Sequence, residues 1–121
     1  MKSIGTDVVD LDRFRLALRR TPGMVTRVFT EGERAYALRK NDPTERLAAR
    51  FAVKEATMKA LGVGLGAFKF YDVEVVKARS GEPSLRLSGR AVELAEKRGI
   101  VEWKVSITHS DLVAFAVVVG L

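Results

Sequence analysis

Two rhythms of apolar and polar residues divide the chain into its elements. Lys2–Val9 reads as a short strand that runs into a helix at Asp10, an acceptable N-cap residue, so Asp7 lies at the strand's end. In that helix Leu11, Phe14 and Leu18 occupy one face, Arg13 and Arg20 align on another, and Arg15 and Arg19 flank the polar side. Thr21-Pro22-Gly23 ends it, and Thr30-Glu31-Gly32-Glu33 has the spacing of a capping box for a short helix reaching Arg39. Asp42 as N-cap and Pro43 at the first helical position then open the longest helix, which runs to Leu61 and stops at Gly62. Phe70–Ala78 and Ser84–Leu87 read as an antiparallel hairpin around a turn that contains Gly81 and Pro83. A helix over Ser88–Arg98 follows, and two strands, Trp103–Thr108 and Leu112–Val119, close the chain around His109-Ser110-Asp111.

One residue breaks the pattern of the long helix. At about 100° per residue, Leu47, Phe51, Met58 and Leu61 share one side, and Glu55 falls between Phe51 and Ala52, with Lys59 one turn further on. A carboxylate on an apolar face is costly unless a cation, a metal or a task compensates it. The ordinary reading, an exposed i, i+4 ion pair worth about 0.2–0.5 kcal/mol, is weakened by that apolar neighbourhood.

Composition narrows the class. A chain of 121 residues, 47% hydrophobic and 30% charged, is expected to form one domain spanning residues 1–121, with the balance of a soluble globular protein. No apolar run approaches the roughly 20 residues of a membrane span and no secretory signal opens the chain, so a cytoplasmic location is expected. Without cysteine, disulfides, thiolate zinc sites and thiol catalysis are excluded, and with one histidine the metal ligands, if any, are carboxylates. The net charge of +6 favours an acidic partner: nucleic acid, a polyphosphate small molecule, an anionic membrane or an acidic protein. Aromatic residues are only 7% and do not alternate with Lys and Arg along the strands, so a base-stacking platform has weak support.

Asp7 alone is unspecific, since acids often begin turns and cap helices, but with Glu55 it offers two hard oxygen ligands for Mg²⁺, which keeps several waters and completes its shell with substrate phosphates. The loop Gly62-Val63-Gly64-Leu65-Gly66 is not a P-loop: it follows a helix C-terminus and lacks the Gly-Lys-Ser/Thr ending, so alone it reads as a cap and tight turn. His109, in a polar loop, is an even choice between a role and none. The arginines of the first helix read as a solvated face or as a docking surface able to fork onto carboxylates and phosphates.

Four strings carry a resemblance: Ile4-Gly5-Thr6-Asp7-Val8-Val9-Asp10, the run from Arg50 through Lys54-Glu55-Ala56 and Lys59-Ala60-Leu61-Gly62 to Gly64, the turn Gly81-Glu82-Pro83, and Ser106-Ile107-Thr108-His109. Together they resemble the holo-[acyl-carrier-protein] synthases, small 4'-phosphopantetheinyl transferases, over nearly the whole chain. The resemblance implies transfer of 4'-phosphopantetheine from coenzyme A to a serine of apo-acyl carrier protein, with release of adenosine 3',5'-bisphosphate. It implies Mg²⁺ on Asp7 and Glu55, and Lys59 at the same phosphates. Either Glu55 or a metal-bound water would take the serine proton. It further implies coenzyme A contacts from Arg50, Lys54, Gly62, Gly64, Pro83 and His109, and carrier-protein docking on Arg13 and Arg20. The implied architecture is an α+β 4'-phosphopantetheinyl transferase fold, one domain with an antiparallel sheet against a long helix, assembled as a homotrimer with active sites between subunits. The rival from another class is a basic nucleic-acid-binding domain, supported by the charge and the arginine helix.

Overall fold

The computed structural model describes all residues from 1 to 121. Strand β1 (Ser3–Asp10) leads directly into α1 (Leu11–Arg20), and Asp10 caps that helix by accepting the Arg13 N–H at 2.9 Å. A short helix α2 (Met24–Val28) follows, then α3 (Glu31–Ala37) and the long α4 (Thr44–Ala60). A single 3-10 turn (Phe70–Asp72) leads into the hairpin β2 (Val73–Lys77) and β3 (Pro83–Leu87). Helix α5 (Gly89–Lys97) and the pair β4 (Trp103–His109) and β5 (Val113–Gly120) complete the chain.

The strands form two antiparallel sheets. One has the order β1-β5-β4, with Asp7 opposite Ala116 and Ser106 opposite Val117, and the other is the β2-β3 hairpin. Helix α4 lies across both. Inward residues of β5 (Ala114, Ala116, Val118) meet Ala48, Ala52, Val53, Ala56 and Ala60 of α4, and these small side chains let helix and sheet approach closely. The tightest point is Gly5: a Cβ there would stand 1.9 Å from the Ala56 carbonyl oxygen. No larger residue fits between strand and helix at that register.

Several expectations need correction. The strand expected from Phe70 begins at Val73, because Phe70–Asp72 winds into a 3-10 turn in which Asp72 accepts the Lys69 N–H. Helix α2, only 5 residues long, is too short to show a helical period. The long helix starts at Thr44 rather than Pro43, although Asp42 does serve its N-terminus by accepting the Thr44 N–H and hydroxyl. Its buried surface is also broader than one apolar stripe: 12 of its 17 residues are buried, on several sides. Glu55 is half-buried at the margin of that surface rather than within it.

Candidate active site

Strand alternation turns Gly5 and Asp7 toward α4 while Ile4, Thr6 and Val8 face outward. Because Gly5 seats the strand on Ala56, Asp7 arrives beside the adjoining turn of the helix. Its Oδ1 accepts the Lys59 ammonium at 3.2 Å. Burial and then the neighbouring Asp7 push the Glu55 carboxyl above its ordinary range, with Lys59 acting in the opposite sense. Two carboxylates from different elements, close enough to repel, fit one hard dication. Ionised oxygens would hold it, and the repulsion would become attraction. Two protein ligands are the number that Mg²⁺ uses when phosphate and water supply the rest.

The helix ends beside this group. Gly62 takes φ +69°, its N–H bonds the Lys59 carbonyl at 3.0 Å, and the Val63 N–H reaches back to Met58 at 3.2 Å, the pairing of a Schellman cap. Nothing lies within 4 Å of a Cβ placed on Gly64, so the loop backbone is open to a ligand there. Asp7, Glu55 and Lys59 thus form one group near the C-terminal end of α4, and Gly62 and Gly64 follow it in the chain.

Arg50, Pro83 and His109 form a second, elsewhere. They line a cleft of about 320 Å³ with Tyr36, Lys40, Glu45, Arg46 and Lys77. Tyr36 organises it: the guanidinium carbons of Arg46 and Arg50 lie 4.1 and 4.3 Å from its ring centroid, and its hydroxyl accepts the Lys77 ammonium at 2.7 Å. That hydrogen bond, opposed by burial and aided by the charges of Arg46, Lys77 and Arg50, draws the phenol below its ordinary range. Arg50 is buried, its Nε has no partner, and desolvation lowers the affinity of its guanidinium for its proton. His109 faces Glu45, Nε2 to Oε1 being 3.5 Å. The cleft is therefore a positively charged recess with unspent donors, suited to an anion. Tyr36, Arg46, Lys40 and Lys77 were not anticipated, because Arg46, Arg50 and Lys77 converge on the Tyr36 ring only after α3, α4 and β2 have packed.

Lys54 corrects an expectation. Its side chain is fully buried, and its ammonium is spent on Glu33 Oε1 at 2.7 Å and on the carbonyls of Phe70 and Val73. Burial lowers its pKa, with Glu33 as the chief compensation. No donor remains to meet coenzyme A; Lys54 ties α4 to α3 and β2 instead. Arg13 and Arg20 are exposed on α1 with no ion pair in the chain, whereas Arg15 is engaged by Asp12 and Asp42. Asp111 is exposed in the turn after β4.

A small α+β domain with a carboxylate pair beside a lysine, and a separate cationic cleft, has the parts of a phosphoryl-group transferase. The sequence profile of the 4'-phosphopantetheinyl transferase superfamily matches residues 3–117. The holo-[acyl-carrier-protein] synthase of Frankia alni is 48% identical over 117 residues, covering 97% of this chain and 94% of the relative. The holo-[acyl-carrier-protein] synthase of Neisseria meningitidis superimposes with a TM-score of 0.90 at 28% identity, over 100% of this chain and 98% of that one. The Helicobacter pylori synthase, solved in complex with coenzyme A, gives a TM-score of 0.85 at 31% identity, over 98% and 99% of the two chains. The chain belongs to the 4'-phosphopantetheinyl transferase superfamily and, within it, to the holo-[acyl-carrier-protein] synthases.

Proposed function

We propose that the protein transfers 4'-phosphopantetheine from coenzyme A to a serine hydroxyl of apo-acyl carrier protein, depends on Mg²⁺ and releases adenosine 3',5'-bisphosphate. The observation that carries this reading is the meeting of Asp7 with Glu55 and Lys59 beneath the Gly5 contact. Mg²⁺ held by Asp7 and Glu55 would neutralise charge on the coenzyme A pyrophosphate. Lys59 adds positive charge at the same phosphates, and the open backbone at Gly64, just beyond the cap residue Gly62, lets the donor approach. The serine oxygen bonds to the phosphorus carrying pantetheine, the bridging P–O bond breaks, and the bisphosphate departs. The hydroxyl proton passes to Glu55 or to a water at the site, the two acceptors available there.

Arg50, Pro83 and His109 bind the nucleotide end of coenzyme A in the cationic cleft. Because Arg50 and Glu55 are five positions apart, they point about 140° apart around the helix axis. The cleft of one protomer and the acid pair of another would complete one site across a trimer seam. The outer face of the three-stranded sheet, with Ile4 54% and Val8 58% exposed, supports that association. Arg13 and Arg20 on α1, with exposed Leu16 between them on the same face, dock the acidic carrier protein. No helix is long and apolar enough to cross a membrane, and we assign the reaction to the cytoplasm.

Incubation with Mg²⁺, coenzyme A and apo-acyl carrier protein should raise the mass of the carrier by about 340 Da, the mass of the phosphopantetheinyl group. An unmodified carrier at any protein concentration would refute the activity. The same experiment with Mg²⁺ chelated should give no product.

A further inference from the structure

We propose that Arg98, at the end of α5, is a substrate-binding residue that holds the pyrophosphate of coenzyme A beside Lys59; the inference rests on the transferase reading. A polyanion at Gly62 and Gly64 faces an electrostatic problem. It would sit at the C-terminal end of α4, where carbonyl oxygens give the helix its partial negative charge, and next to the acids Asp7 and Glu55. Lys59, the obvious counter-charge, is already partly committed to Asp7 at 3.2 Å. Even with Mg²⁺ on the acid pair, its two charges only offset the two carboxylates, and Lys59 alone would face the two charges of the pyrophosphate.

Arg98 supplies a further cation. Its Nη1 donates to the carbonyl of Leu61, the cap residue of α4, at 3.0 Å across 37 positions of sequence. The guanidinium lies directly over Gly62: a Cβ on that glycine would stand 2.7 Å from Arg98 Nη1. It thus occupies the space above the backbone that the donor must approach. One of its five N–H donors caps the helix, and the residue has no carboxylate partner in the chain. An arginine committed to a neutral carbonyl on one side and free on the other is arranged to fork onto phosphate oxygens. A helix cap alone needs only one neutral donor. The charge of Arg98 already offsets the carbonyl ends of α4 and α5, and with no carboxylate to neutralise it, it stays available to an incoming phosphate.

The test compares Arg98→Gln, which keeps a donor and removes the charge, with Arg98→Lys, which restores the charge. Lys97→Gln removes the same charge from the exposed neighbouring position. Arg98→Gln should raise the KM for coenzyme A and weaken calorimetric binding of adenosine 3',5'-bisphosphate, each about 5- to 20-fold. Its kcat and its KM for the carrier protein should stay within about twofold of wild type, and the defect should shrink as added salt screens the charge. Arg98→Lys should recover most of the loss and Lys97→Gln should show none. An unchanged KM in Arg98→Gln, with or without a lowered Tm, would reduce Arg98 to a helix cap and overturn the proposal. So would an equal effect of Lys97→Gln, or a failure of Arg98→Lys to rescue. A wild-type protein without transfer activity would instead refute the underlying reading.

Discussion

Glu55 is held in a state that the folded chain disfavours when no cation is bound. Below the ordinary glutamate value of 4.5 the group is protonated in the folded and unfolded chains alike, and its surroundings cost nothing. As pH rises through the raised folded value, the folded chain must ionise a carboxyl that burial and Asp7 oppose, and stability falls. Glu55→Gln removes that loss. Because solvent screens the half-buried Glu55, the variant in metal-free buffer should melt only about 1–3 °C above wild type near pH 7, and the difference should vanish near pH 4. Its transferase activity should fall by about 100-fold or more, measured by carrier mass shift. A variant that gained no stability at neutral pH would show that the carboxyl pair does not repel. The Glu55–Lys59 spacing and the apolar neighbours of Glu55 made this misfit visible in the sequence. The partner Asp7, 48 positions earlier, pairs with it in the sequence only as a candidate Mg²⁺ ligand, since their repulsion exists only once Gly5 has brought β1 onto α4.

At the level of elements, the buried Lys54–Glu33 pair locks α3, α4 and β2 together. Glu33 serves three elements at once: it accepts the Thr30 N–H in the capping box of α3, the Lys54 ammonium, and the Val75 N–H of β2. Lys54→Met should therefore cost about 3–5 kcal/mol in urea unfolding, because it leaves a buried carboxylate without its cation. The fraction that remains folded should keep its KM for coenzyme A within about twofold. A large KM change at unchanged stability would return Lys54 to the ligand. The capping box was legible in Thr30-x-x-Glu33 because it is local. The second task of Glu33 was not, since the lysine it meets is 21 positions away and the local pattern is already satisfied by the cap. Caps, the hairpin turn and the stop at Gly62 could be read for the same reason. Tyr36 could not, because the three residues closest around it, Arg46, Arg50 and Lys77, come from elements that only tertiary packing brings together.

For the whole molecule, the separation of the two groups of site residues makes the trimer proposal testable by mixing. Take Glu55→Ala, which lacks the acid pair, and a second chain carrying Arg50→Ala and His109→Ala, which lacks the cleft. Each alone should have under about 5% of wild-type transfer. Co-refolded, they should recover about a quarter of it, since random assembly places an intact cleft against an intact acid pair in one seam in four. No recovery from mixtures shown to form mixed trimers would mean that each chain carries a whole site. Sequence periodicity anticipated most of the α+β elements, but it could not show that the two groups lie apart, because both stem from one continuous helix.

The division between the two sheets bears on that cleft. Pro83 belongs to β3 and His109 to β4, strands that run side by side yet share no ladder. The walls of the recess are therefore joined by side-chain packing rather than by a backbone lattice. Were that recess to widen for the proposed nucleotide, the two walls would part along side-chain contacts, and no interstrand hydrogen bond would have to break.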